Sequence, residues 1–331
     1  MSLRCAVVGT GAVALNNYLP YLVEQEGIEL AYLSRSNAKS VHAQSLFGGT
    51  VLADIEELAS WAPDVAFILT TDTQHAAVMG ELLARGVARI FVEKPLVAAR
   101  GQAHVEESDF WHAAELVRVA EQHGAELAVG FNYRFFETVK RAIHFSETSN
   151  FGRLIGVVGD AHYACWSHTL DLIGLFAGPF ASLVALSGDA AHGEGEMQGA
   201  DRVIAFTSVG GAAGTLRGSA GRPWNGSLLS IVLQYEHGRL ELDDLDVSLR
   251  IFDAAQNWVE MMTLGADVSR WSRYDASFEA SLGAYLDSVR RRTAPPVSGW
   301  DGVRELQGEA AIARAIAEHR RIDVQAEFPL T

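Results

Sequence analysis

The segment Phe91-Val92-Glu93-Lys94-Pro95 puts a lysine at the mouth of an apolar run, beside a proline, in a chain that otherwise relies on arginine. Of its 26 Lys+Arg residues, only Lys39, Lys94 and Lys140 are lysines. A lysine ammonium is a compact point charge on a flexible stem, suited to sit beside a single oxygen on which negative charge develops. Taken alone, a lysine at a strand end reads first as a solvated terminus whose methylenes cover apolar surface, and the motifs around it are what favour chemistry.

A second group of residues opens the chain. Arg4-Cys5-Ala6-Val7-Val8 reads as a short buried strand, followed by Gly9-Thr10-Gly11-Ala12-Val13-Ala14 and a stretch able to form a helix. In this G-x-G-x-x-A pattern the first glycine permits the tight turn and the second lets a pyrophosphate approach the backbone. The small third residue allows close packing of helix on strand. The helix amino terminus adds partial positive charge, so the pattern after a strand predicts dinucleotide binding.

The next strand, 28–33, runs into Ser34-Arg35-Ser36. An NAD-specific site carries an acid near this point for the ribose 2′-hydroxyl. No acid is there. A guanidinium between two hydroxyls matches a 2′-phosphate, which predicts NADP(H) as the preferred cofactor, with NAD(H) possible. The competing reading is an exposed turn arginine.

These groups need a scaffold, and the chain's periodicity supplies one. Strand-like runs at 65–70, 90–92 and 127–131 alternate with helical patterns at 74–85 and 108–123. The series predicts an α/β, doubly wound parallel sheet with ligands at the carboxyl ends of its strands. Beyond Tyr133 comes an amphipathic helix at 137–145, then alternating segments at 203–208, 214–219, 228–235 and 239–242, with Glu236-His237-Gly238 as a hairpin turn. Helical patterns return at 277–291 and 302–319, separated by Pro295-Pro296, and 188–199 is the expected mobile loop. The expectation is a dinucleotide-binding domain at 1–131 and an α+β domain with a large, mostly antiparallel open sheet at 132–331.

Composition narrows the function. At 331 residues and 49% hydrophobic content the chain can bury substantial cores. Its formal charge of −15 argues against nucleic acid or an anionic membrane as partner. Cys5 and Cys165 are far apart and no C-x-x-C occurs, so neither a disulfide nor a metal site is expected. No apolar run approaches the ~18 residues of a membrane span. A cytoplasmic location is the expectation.

The chain resembles the family of glucose-fructose oxidoreductase, inositol 2-dehydrogenase and rhizopine-catabolism proteins. The residues that carry the likeness are Gly9-x-Gly11-x-x-Ala14, Thr70-Thr71 with His75, Glu93-Lys94-Pro95 and Gly130-Phe131-Asn132-Tyr133-Arg134. Further on it is carried by Phe151 to Gly156, His168-Thr169-Leu170-Asp171, and Pro295 to Gly299 with Asp301-Gly302. The resemblance implies a dehydrogenase or reductase acting on CH–OH groups of sugars, polyols or their derivatives. It implies cofactor contacts from Gly9, Thr10, Gly11, Ala12, Val13, Ala14, Ser34, Arg35, Ser36, Thr70, Thr71, His75, Glu93 and Lys94. It also implies that Lys94 contacts the reacting hydroxyl and that Pro95 is cis. An ammonium there would stabilise the nascent alkoxide, an effect on the order of 3 kcal/mol.

His168 then becomes the general acid/base, because an imidazole exchanges protons near neutral pH. Asp171, one helical turn on, could orient it or support its charged form. Asn132 and Arg134 are placed near the substrate, where Arg134 could hold hydroxyls, a carboxylate or a phosphate; an ion pair is the alternative. Family members usually carry an aspartate four residues before the histidine, and here that residue is Ala164. Asp160, His162 or Tyr163 could lend the missing polar group, and Tyr163 counts among the substrate-binding candidates. Trp166 and the Arg222-Pro223-Trp224-Asn225 segment could wall a sugar ring, or belong to a core or interface. The missing carboxylate keeps open a non-catalytic, nucleotide-binding regulator or scaffold of the same fold. Relatives pair through the open sheet, so a homo-dimer or homo-tetramer is expected.

Overall fold

The computed structural model describes residues 2–265 and 267–330. The chain forms two compact units, one of Met1–Gly101, Ser108–Phe131 and Phe278–Val303, the other of Gln102–Glu107, Asn132–Ser277 and Arg304–Thr331.

The first unit is built on β1 (Leu3–Val8), β2 (Ile28–Leu33), β3 (Thr50–Val51), β4 (Val65–Ile68), β5 (Arg89–Val92) and β6 (Glu126–Val129). All neighbours are parallel, in the order β3-β2-β1-β4-β5-β6. The helices between them are α1 (Leu19–Glu24), α2 (Asn37–Phe47), α3 (Ile55–Trp61), α4 (His75–Ala84) and α5 (Glu107–Gln122). Strands covered on both faces read as unbroken apolar runs, and every residue of β4 is buried. Beneath the sheet, Tyr18, Phe67, Phe91 and Tyr285 form a cluster of edge-on and tilted rings with centroids 5.0 to 6.0 Å apart. Residues near 300 close the far edge: the Val129 N–H donates to the Val297 carbonyl, and Gly302 lies where a Cβ would meet Val129 and Leu96 at about 3 Å.

The second unit holds α6 (Glu137–Thr148), β7 (Leu154–His162), α7 (Trp166–Ala177), β8 (Phe180–His192), β9 (Gly199–Ser208), β10 (Ala213–Ser219), β11 (Leu229–Tyr235) and β12 (Gly238–Asp243). After these come β13 (Ser248–Asp253), β14 (Trp258–Thr263) and, near the carboxyl end, β15 (Ile322–Asp323) and α10 (Val324–Glu327). Two long helices, α8 (Arg270–Arg291) and α9 (Gly299–Glu318), each have one end in this unit. The nine strands run β14-β13-β12-β11-β7-β10-β9-β8-β15, antiparallel except for the β7–β10 pair. Alternate residues point into the core; Leu229, Ile231, Leu233 and Tyr235 of β11 are buried and their neighbours are not. The opposite face exposes Val158, Val184, Leu186, Val203, Phe252, Val259 and Met261.

The turn at Glu236-His237 joins β11 and β12 as expected. Half of the expected mobile loop at 188–199 is strand, since β8 continues to His192 and pairs again with β9 at Ala191–Ala200. The strands β3, β8, β13, β14 and β15 are additions to the sequence reading.

Candidate functional site

In the first unit the ends of β1, β2 and β4 enclose a cavity of about 620 Å³. Its lining includes Gly9, Thr10, Gly11, Ser34, Arg35, Ser36, Lys39, Asp54, Thr70 and Thr71. Gly9 has φ +96°, and a Cβ there would lie 2.6 Å from the Thr70 amide nitrogen, so only glycine allows the turn. Gly11 is the reverse case, with nothing within 4 Å of its Cβ position. Its bare backbone is the open face a pyrophosphate would need. The Thr10 N–H donates to Ser34 Oγ (3.0 Å), and the two hydroxyls are 2.7 Å apart, stitching the glycine turn to the end of β2. Ser34 therefore shapes the cavity through a bond to protein.

Arg35 and Lys39 are exposed and make no side-chain hydrogen bond or ion pair with any described residue. Lys39 was not among the expected site residues. Its rarity, and its place on the first turn of α2 four residues after Arg35, were the available signals. Ala12 and Val13 open the helical segment and Ala14 is fully buried, as close packing on the strand requires. On the other side, Asp54 caps α3 by accepting the Glu57 N–H (2.8 Å), and Glu57 returns the bond to the Ala53 N–H (2.6 Å). The residues present fit a dinucleotide with an anionic group near Arg35 and Lys39.

At the mouth of β5 the Lys94–Pro95 bond is cis. Glu93 accepts from the Tyr18 hydroxyl (2.6 Å) and from the Lys94 N–H (2.7 Å), so a tyrosine missed in the sequence braces the lysine's backbone. Burial pushes the Glu93 carboxyl upward, opposed by Lys94 and these hydrogen bonds. His75, expected among the cofactor contacts, is only 1% exposed. Its Nδ1 lies 2.8 Å from the Pro95 carbonyl oxygen and its Nε2 3.3 Å from that of Thr70. It ties the Lys94-Pro95 turn to the end of β4 from behind, and burial lowers its proton affinity. The His75 ring is thus turned inward onto two protein carbonyls.

In the second unit, α7 begins after a short turn at Tyr163–Cys165 and carries His168 and Asp171. The His168 ring stacks on Tyr133, with centroids 3.7 Å apart and planes 10° from parallel. Tyr133 in turn stacks on Phe136 (4.5 Å), and its hydroxyl lies 3.3 Å from Cys165 Sγ. Arg134 grips Asp171 with both arms, Nε to Oδ2 at 2.8 Å and Nη2 to Oδ1 at 2.5 Å. The Asp171 side chain is 2% exposed. Its charge is already matched by Arg134, and the expected substrate grip of Arg134 is directed at Asp171.

Other expected substrate groups are also committed within this unit. Asn132, 2% exposed, donates its amide to Ser277 Oγ (2.7 Å). Tyr163 donates its hydroxyl to the Ala200 carbonyl, its ring lodged where Gly199 and Gly218 leave no room for a Cβ. The Asn132 Nδ2 and the Tyr163 O–H are thus donated to protein groups. The neighbours expected to stand in for the carboxylate missing at Ala164 all have protein partners. Asp160 pairs with Arg217 and Arg222, while His162 Nδ1 accepts the Ala164 N–H (3.0 Å). Trp166 is buried, whereas Trp224 is exposed and its ring meets that of His162 at a 50° tilt, with centroids 4.7 Å apart.

Residues 3–131 match the model of the Gfo/Idh/MocA oxidoreductase family, described as having an NAD-binding Rossmann fold. Over these residues the chain is similar to that family. The expected nicotinamide-dependent oxidoreductase stands on this match, and the Rossmann sheet and mostly antiparallel sheet agree with the expected fold. No curated protein matches the chain. Among solved structures, an oxidoreductase from Agrobacterium radiobacter in complex with NAD+, L-tartaric acid and magnesium has a TM-score of 0.82 at 19% identity, covering 99% of this chain and 100% of that one. A levoglucosan dehydrogenase with NADH and levoglucosan gives 0.81 at 14% identity, covering 98% and 100%. The WlbA dehydrogenase from Bordetella pertussis, with NADH and UDP-GlcNAcA, gives 0.77 at 18%, covering 98% and 99%. At these identities the likeness is one of fold. Among the described residues no helix is long and apolar enough to cross a membrane.

Proposed function

We propose that the protein interconverts a CH–OH carbon and a carbonyl on a sugar, polyol or derivative, using NADP(H) in preference to NAD(H). The observation that carries the cofactor choice is the pair Arg35 and Lys39, cations on the cavity rim with no protein partner among the described residues. A 2′-phosphate would supply the charge they lack. Residues 1–131 serve as the nucleotide domain and 132–331 as the substrate and assembly domain.

The nicotinamide, when bound, supplies hydride exchange. Lys94, aimed by the cis turn that Glu93, Tyr18 and His75 brace, stabilises negative charge on the substrate oxygen. His168 takes or returns the hydroxyl proton, its ring held flat by Tyr133. The Arg134–Asp171 pair fixes the helix face that presents it. The exposed apolar side chains of the nine-stranded sheet support assembly as a homo-dimer or homo-tetramer.

The direct test is a titration with NADPH and, separately, NADH, followed by energy transfer from tryptophan to the nucleotide. Tighter NADPH binding supports the reading, and equal or tighter NADH binding overturns the phosphate site. His168→Ala then separates an enzyme from a regulator: turnover is lost while nucleotide affinity is kept.

A further inference from the structure

A cleft of about 740 Å³ lies in the second unit, apart from the His168 cluster, between the 224–227 loop and residues 269–271. Two of its walls are indoles that a folded protein would ordinarily cover: Trp224 is 54% exposed and Trp271 44%. Arg270 shapes the space. Its Nη1 donates to Asp244 Oδ2 (2.7 Å) and to the Gly226 carbonyl (2.6 Å), and its Nη2 donates to the Trp224 carbonyl. Both Nη arms of the guanidinium are thus used within the protein, one on the Asp244 carboxylate and both on the loop. Asp243, exposed on the rim, gives Oδ1 to the Ser227 hydroxyl (2.8 Å), which leaves its second oxygen to accept. Asn225 adds an exposed amide.

This lining selects a ligand class. The cleft carries Asp243 and Asp244 against Arg270, so a phosphate or carboxylate is repelled. Indole faces stack on the C–H face of a pyranose, while carboxylate and amide groups meet its hydroxyls. Two ring series also connect the cleft with the His168 cluster. Trp271 meets Tyr274 at 6.0 Å, Tyr274 meets Tyr133 at 6.3 Å, and Tyr133 stacks on His168 at 3.7 Å. On the other side Trp224 packs on His162, which accepts the Ala164 N–H at the turn leading into α7.

We propose that the Trp224–Trp271 cleft is an outer subsite for a neutral sugar ring, so that the substrate carries a glycosyl unit beyond the one that reacts. The substrate class would then be a neutral glycoside or oligosaccharide. This rests on the reading of the protein as a sugar oxidoreductase.

The test is calorimetric titration of the nucleotide-free protein with maltose, cellobiose and lactose, in the wild type and in Trp224→Ala, Trp271→Ala and their Phe counterparts. The expected result is saturable binding of at least one disaccharide, weakened about tenfold or more by each Ala change. The Phe changes should retain part of it and NADPH affinity should stay unaltered. Absence of binding to all three sugars, or binding untouched by either Ala change, overturns the subsite. So does a loss of assembly mass in sedimentation with sugar binding unchanged, which makes the cleft a subunit interface. Disaccharide binding without any turnover sinks the oxidoreductase reading and leaves the subsite standing. Turnover of monosaccharides without disaccharide binding sinks the subsite alone.

Discussion

The nucleotide cavity of the first unit and the His168 cluster of the second treat their charges in opposite ways. The cavity leaves Arg35 and Lys39 without protein partners among the described residues and keeps the Gly11 backbone bare. The cluster matches Asp171 with Arg134, packs His168 on Tyr133, and spends Asn132 and Tyr163 on neighbouring protein groups. On the proposed reading one region is completed by a ligand's charge, whereas the other is organised by its own ion pair. In the proposed mechanism, preorganisation of this kind places the proton-transferring ring without cost at the moment of reaction.

The sharpest way to break the contrast is to remove one partner of the buried pair. Arg134→Leu should cost about 3–5 kcal/mol, because it strands a buried carboxylate. Denaturant melts should show most of that loss recovered in the Arg134→Leu/Asp171→Leu double variant. A single variant as stable as the wild type would mean that the cluster is not organised by the pair.

Next in size is Lys94→Met. Turnover should fall by roughly two to three orders of magnitude, the scale of removing one oxyanion-stabilising donor. Steady-state assays beside nucleotide titrations would show whether the loss is confined to the chemical step. If nucleotide affinity falls as far as turnover, Lys94 belongs to the nucleotide cavity and not to the reacting oxygen.

Arg35→Ala should weaken NADPH binding by about 1.5–3 kcal/mol, the worth of hydrogen bonds to a charged group, and leave NADH binding unchanged. Equal losses for the two nucleotides would show that the unpaired cations do not read the 2′-phosphate.

The smallest effect concerns His75, whose folded proton affinity is lowered chiefly by burial. Below the ordinary histidine pKa of about 6.5 the unfolded chain takes a proton that the folded one resists, so the wild type loses stability as pH falls through that value. His75→Asn removes this dependence. The stability gap between wild type and variant should therefore narrow from pH 7 towards pH 5, and a gap that widens on acidification would mean that His75 is held charged between its two carbonyls.

The first unit was largely legible in the sequence because strands buried on both faces are unbroken apolar runs, and the glycine turn has a local spacing. The two-residue β3 carries no such pattern and emerged only from its pairing with β2. The cis bond before Pro95 agreed with what the resemblance implied. In the second unit, β8, β13 and β14 were missed, since half-exposed strands mix polar and apolar residues as loops do. His75 read as a cofactor contact because its spacing matched a motif, whereas burial decides which way a ring faces. Tyr18, Tyr133 and Lys39 were overlooked in their present roles for a related reason. A tyrosine that braces Glu93 from 75 residues away leaves no trace in local spacing.

By itself, the sequence determined the parallel sheet, the glycine turn after β1, the absence of an acid after β2 and the presence of Lys94 and His168 at their strand mouth and helix. These depend on residue type and short-range periodicity, which the chain carries wherever it folds. Only the tertiary structure decided which polar groups are consumed and which are left over. Arg134 and Arg35 are the same residue type, yet one is matched by a carboxylate 37 positions away and the other has no partner among the described residues. Pairing is a matter of long-range geometry and of the desolvation that comes with burial, and neither is written in the order of residues.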